Sequence, residues 1–207
     1  MAKPDKFDTN VFINCPFDQE YQSLLYAIVF TVIACGFTPR LALEEKDAAA
    51  IRLDKIKRLI ATCRLGIHDI SRTTADAGTG LPRFNMPFEL GLDIGARHFG
   101  NFYLKSKRLL ILDREKYRYQ QFLSDISGQD ISSHDESVET VIEKVRNWLN
   151  SQKIAPEPLI GPAKIFESFN EFIADLPGMC AANRLDPANL DFSDYIFYVE
   201  TWAEFTL

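Results

Sequence analysis

Paired cysteines, metal-ligand spacings, phosphate-loop signatures and long apolar runs are all missing from this chain. Its four cysteines, Cys15, Cys35, Cys63 and Cys180, stand far apart, and no two have the spacing of a zinc knuckle or a redox pair. Three of them lie in or beside apolar segments, where buried free thiols are common. The three histidines, His68, His98 and His134, form no HExxH arrangement, so no metal is expected. Neither GxxxxGKS/T nor GxGxxG occurs. Any phosphate contact would then depend on helix N-termini and on arginines such as Arg40, Arg72 or Arg83. The most apolar stretch, residues 24–35, is too short to span a bilayer and is closed by Gly36. No apolar signal segment follows the first six residues, so a cytoplasmic location and no membrane partner are expected. A basic excess is missing too: the net charge is -6, which disfavours nucleic acid as a partner.

What the chain does have suits a folded domain. Its 207 residues are 46% hydrophobic and 25% charged, within the range of globular proteins. Sixteen phenylalanines imply aromatic-rich packing or an apolar surface covered by a partner. Residues 11–17, VFINCPF, read as a buried strand running into a loop. Asp18 can cap a following helix that carries Leu24, Leu25, Ile28, Val29, Val32 and Ile33 and stops near Gly36. Residues 38–44 predict a second strand, and residues 47–62 a helix capped by Asp47. Residues 64–70 predict a third strand ending on His68 and Asp69. A helix capped by Asn85 follows, with Leu90, Ile94 and His98 on its inner phase. Residues 108–112, RLLIL, are the clearest strand.

This alternation predicts a mainly parallel sheet covered on both faces. Residues 117–127 look helical or mixed, residues 128–136 a loop, and residues 137–150 an amphipathic helix. Residues 154–162 read as a linker. The helix after it is expected to end at Pro177 and Gly178, and the aromatic last stretch is either a packed helix or a self-association element.

Ligands in such sheets bind beyond the carboxyl ends of the strands. Asn14, Asp69 and Asp113 all fall at or near strand ends, and Glu89 opens the helix after the third strand. A carboxylate there can stabilise a cationic sugar, act as a nucleophile or hold a ribose hydroxyl. The flanking MPF and LGL supply apolar surroundings that raise a carboxyl pKa. The plainer alternative is a first-turn glutamate that only favours the helix dipole. Asp69 either caps a turn or holds a ribose, and His68 is either a titrating group or a backbone-bonded strand residue. Around the first turn, Asn14, Cys15, Pro16 and Phe17 either face a ligand or form a tight turn over the core. Cys15 as a nucleophile would need a histidine brought in by the fold.

Three segments, FINCPF, IHDIS and NMPFELGLDIGARH, together resemble the superfamily that joins TIR domains and nucleoside 2-deoxyribosyltransferases. The likeness covers about residues 9–113, with residues 114–150 as the rest of the domain. It implies a flavodoxin-like, doubly wound α/β domain over residues 1–150, and residues 151–207 are a C-terminal, mainly helical extension for packing or self-association. It further implies that Glu89 and Asp69 are catalytic, with Asp76 as the alternative partner of Glu89. Asn14, Cys15, Pro16, Phe17, His68, Asp76, Asn85 and Met86 would line the substrate. The expected activity is N-glycosidic cleavage or ribosyl transfer on NAD or a related nucleotide or nucleoside, as in bacterial anti-phage defence. No cofactor is expected beyond NAD as a substrate. A homo-oligomer or a separate sensor or activator protein would be the partner. The competing expectation is an inactive nucleotide-sensing or protein-interaction domain of the same fold, its pocket filled by Phe17, Phe84 or Phe88.

Overall fold

A computed structural model of the protein describes residues 3–44, 46–73, 80–155 and 158–207. Five parallel strands form one sheet in the order β2-β1-β3-β4-β5. They are β1 (Asn10–Asn14), β2 (Thr38–Arg40), β3 (Leu65–Asp69), β4 (Arg108–Asp113) and β5 (Ser132–Ser133). The order reverses at β1, as in flavodoxin-like sheets in general, so a crevice is expected above the carboxyl ends of β1 and β3.

The period-two alternation of the strands separates two cores. Val11, Ile13, Leu65, Ile67, Leu110 and Leu112 face one side, against α1 (Gln22–Ala34) and α4 (Val138–Ser151). Phe12 faces the other, against Ile56, Leu59 and Ile60 of α2 (Arg52–Thr62). α3 (Asn85–Phe99) lies on that second side, and its Met86 and Leu90 pack with Ile70, Ile111 and Tyr119.

α1 is apolar nearly all round because it is covered on both sides. The sheet and α4 bury one flank. α5 (Pro162–Ala182) and α6 (Phe192–Thr206) bury the other. Tyr26 stacks on Tyr195 with ring centroids 3.8 Å apart. Phe30 meets Phe169 and Phe172, both at 5.5 Å, and Trp202 at 5.9 Å. Phe30, Phe169 and Phe172 serve this seam, where each buried ring contributes about 1.5–3 kcal/mol.

Several local expectations are corrected. β2 stops at Arg40, because the Leu41 amide turns to donate to the Glu44 side chain at 2.5 Å. α1 begins at Gln22 rather than beside Asp18, whose carboxylate accepts from the Tyr21 amide in the preceding turn. Asp47 likewise accepts from the Ala49 amide in a turn, and α2 starts only at Arg52. Asn85 is inside α3, with Phe84 at the cap position. α5 runs through Pro177 to Ala182, since its buried stripe continues from Leu176 to Cys180. Residues 132–133 form a fifth strand where a loop was expected. The aromatic C-terminus is a helix packed on α1. His98 is exposed: the inner stripe of α3 is Met86, Glu89, Leu90 and Asp93, and His98 lies off it.

Candidate functional site

Glu89 sits in the second turn of α3 at the carboxyl edge of the sheet, and it is 6% exposed. Its Oε1 lies 3.7 Å from Nη2 of Arg52, at the start of α2. Among the described residues this is its one charged partner. Burial raises the Glu89 carboxyl above the ordinary range, and Arg52 offsets only part of that. Exposed Phe84 and Phe88 flank it in sequence, and exposed Ile51 and Leu53 flank Arg52.

Asp69 ends β3 and is wholly buried. Tyr21 donates its hydroxyl to Oδ2 at 2.7 Å, and the Ser71 amide donates to Oδ1 at 2.8 Å. Nε2 of His134, just after β5, stands 3.0 Å from Oδ2, off the line of a straight hydrogen bond. The Glu136 amide donates to His134 Nδ1 at 3.0 Å. Desolvation disfavours the charged form of Asp69, but the contacts with His134, Ser71 and Tyr21 outweigh it and hold the carboxyl below its usual range. Asp69 is therefore an ionised group fully occupied by protein partners. Among the described residues no hydrogen bond joins it to Glu89.

Asp113 ends β4, also wholly buried, and accepts from Arg118 Nε at 2.9 Å and from the Arg114 amide at 2.8 Å. Arg118 extends to the carbonyls of Ile70 and Ser71 at 2.9 and 3.0 Å and to the Thr73 hydroxyl at 3.1 Å. It thereby fixes the chain that leaves β3.

On the α3 side of the sheet, His68 and Asn14 are buried as well. Asn14 Nδ2 is 3.0 Å from the Met86 carbonyl and 3.0 Å from His68 Nδ1. His68 Nε2 is 3.1 Å from Asp93 Oδ2, and Asp93 Oδ1 is 3.1 Å from Lys107 Nζ. Lys107 donates to the carbonyls of Ile60, at 2.9 Å, and Cys63.

The predicted residues thus divide into groups. Glu89 stands beside Arg52, at the start of α2. Asn14, His68 and Met86 form one buried network, whereas Asp69 belongs to another. Pro16 and Cys15 are buried, and Phe17 is exposed. The thiol of Cys15 is pushed well above its ordinary pKa by burial and by the charges of Asp69, Glu89 and Asp18, which leaves it a poor nucleophile. Asn85 is exposed at the start of α3. Asp76 lies outside the described residues. Arg40 pairs with Glu44 at 2.8 Å, and Arg72 pairs with Glu20 at 3.1 Å and Asp18 at 3.6 Å.

Sequence reasoning missed Asp93, Lys107, Tyr21 and Arg52. Asp93 had a readable signal, since it falls four residues after Glu89 on one helix face. Lys107 carries no sequence signal that sets it apart from a solvated lysine before a strand. Among the described residues no group of three or more His, Cys, Asp or Glu could hold a metal, and no helix is long and apolar enough to cross a membrane.

A cleft of about 320 Å³ lies beside the first loop, between Phe17, Asp18, Gln19 and Gln22 and residues Ala188, Asn189, Leu190 and Phe192 of the C-terminal segment. No family model matches this chain, and no curated protein or solved structure matches it significantly.

Proposed function

We propose that the chain breaks an N-glycosidic bond, or transfers the ribosyl group, of NAD or a related nucleotide or nucleoside. One observation carries this reading. Of the buried carboxylates among the described residues at or near the carboxyl edge of the sheet, Glu89 is the one left with a single distant cation, while Asp69 and Asp113 each hold close partners. In this scheme the bond from the anomeric carbon to the base breaks, and its electron pair leaves with the base. Glu89 stabilises the cationic sugar, water or an acceptor hydroxyl then bonds to that carbon, and its proton passes to solvent when nicotinamide leaves or to the departing base of a nucleoside. Nicotinamide leaves as a neutral ring, so no strong general acid is required. Asp69 acts at a distance, ordering the end of β3 through Tyr21 and His134.

The TIR/deoxyribosyltransferase resemblance and a role in anti-phage defence belong to the same proposal, as does assembly with a partner. The strand order and the position of Glu89 after β3 support it. The exposure of Phe84 and Phe88, at 54% and 55%, speaks against a pocket filled by those rings, as an inactive domain would have.

The test is chromatographic product analysis of purified protein with NAD and a nucleoside panel. Free nicotinamide or free base is the expected product. If every compound stays intact at high protein concentration, the reading of a constitutively active enzyme falls.

A further inference from the structure

Two buried polar groups pin α3 to the sheet, at levels one turn on either side of Glu89. Met86, three residues before Glu89, has its carbonyl bonded to Asn14, and Asp93, four residues after, is held by His68 and Lys107. All five residues are buried. The chemistry fixes the direction of every bond. A carbonyl only accepts, so the Asn14 atom facing Met86 is the amide nitrogen. The same nitrogen then donates to His68 Nδ1, which leaves Nε2 as the protonated atom that donates to Asp93.

A chain of this kind is costly to bury and adds less stability than well-packed apolar side chains would. What it provides is one rotation and depth for α3. Gly66 shows how closely the parts meet: a Cβ there would lie 2.8 Å from Leu109 Cδ2, 2.9 Å from Asp93 Oδ2 and 3.0 Å from His68 Nε2.

We propose that Asn14 is a positioning residue, whose amide, backed by the chain through His68, Asp93 and Lys107, sets the first turn of α3 and hence the place of the Glu89 carboxylate. This rests on the reading of Glu89 as the reacting carboxylate. It replaces the sequence-based expectation that Asn14 touches the substrate.

Asn14→Ser removes the reach to Met86 without leaving a large unpaired amide. With whichever substrate product analysis identifies, kcat is expected to fall roughly 10- to 100-fold while KM stays within about twofold. Amide-hydrogen exchange at residues 88–90 is expected to quicken at a temperature where the variant is folded. A raised KM with kcat unchanged would overturn the proposal, because it would make Asn14 a substrate contact. Unchanged exchange would overturn it as well.

Nitrogen-15 NMR of the unaltered protein supplies a test that needs neither a variant nor turnover. His68 in the folded protein is expected as the Nε2-protonated tautomer. An Nδ1-protonated ring would turn the Asn14 oxygen toward Met86 and abolish the link. Should the protein cleave nothing, exchange and tautomer still decide the role of Asn14, and the failure belongs to the reading of Glu89.

Discussion

Lys107→Met removes the cation of a buried pair while keeping the length of the aliphatic stem. In the intact protein Lys107 and Asp93 are wholly buried and 3.1 Å apart. At an effective dielectric of about 20, such a pair attracts by about 5 kcal/mol, most of which offsets the desolvation of the two ions. The substitution leaves the desolvation of Asp93 without that return, and it strips donors from the carbonyls of Ile60 and Cys63. The expected cost is about 3–5 kcal/mol. For a chain of this length that lowers Tm by roughly 6–20 °C. Adding Asp93→Asn removes the stranded charge, so the double variant should be more stable than the sum of the single losses, with a coupling of about 2 kcal/mol or more. Urea unfolding followed by circular dichroism reads all four corners of the cycle. A loss below about 1 kcal/mol for Lys107→Met, or strict additivity, would refute the reasoning, because it would mean the pair is wet or loosely held.

Three further outcomes follow from the same geometry. Asp69 is held below its usual pKa, so its contacts stabilise the fold above the ordinary carboxylate range and lose that effect as pH falls through the depressed native value; the Tm gap between the unaltered protein and Asp69→Asn should be full at neutral pH and close in acid. Glu89 is the opposite case, a carboxyl raised by burial, whose ionisation costs stability as pH rises through and beyond the ordinary glutamate range; Glu89→Gln should match the unaltered protein in acid and melt at or above its Tm at neutral pH. Gly66→Ala drives a methyl into Leu109 and the pair of His68 and Asp93, and calorimetry should show a loss of about 1–3 kcal/mol.

The parallel sheet was legible because β1 and β4 carry apolar runs and β3 places Leu65 and Ile67 on one face, with polar turns after them. β5 was not, since Ser132 and Ser133 carry no apolar pattern and pair only with the end of β4. α5 was misjudged at Pro177 for a related reason. A local breaker was given more weight than the apolar stripe that carries the helix past it. At the site, Glu89 could be picked out from its place after the third strand and its apolar flanks. The partners of the other polar residues could not, because the fold sets them. His134 and Asp69 are 65 positions apart in sequence (134 minus 69), yet they meet at 3.0 Å. Asn14 was read correctly as a strand-end residue, but only the packing of α3 against β1 and β3 shows that its amide is taken up internally.

The most direct test of the central claim compares initial rates of nicotinamide or base release for the unaltered protein and for Glu89→Gln, with folding checked by circular dichroism. The account predicts a loss on the order of 10³-fold in the variant at unchanged stability or better. Release that continues at the original rate without the Glu89 carboxylate would contradict it and move the chemistry elsewhere in the crevice.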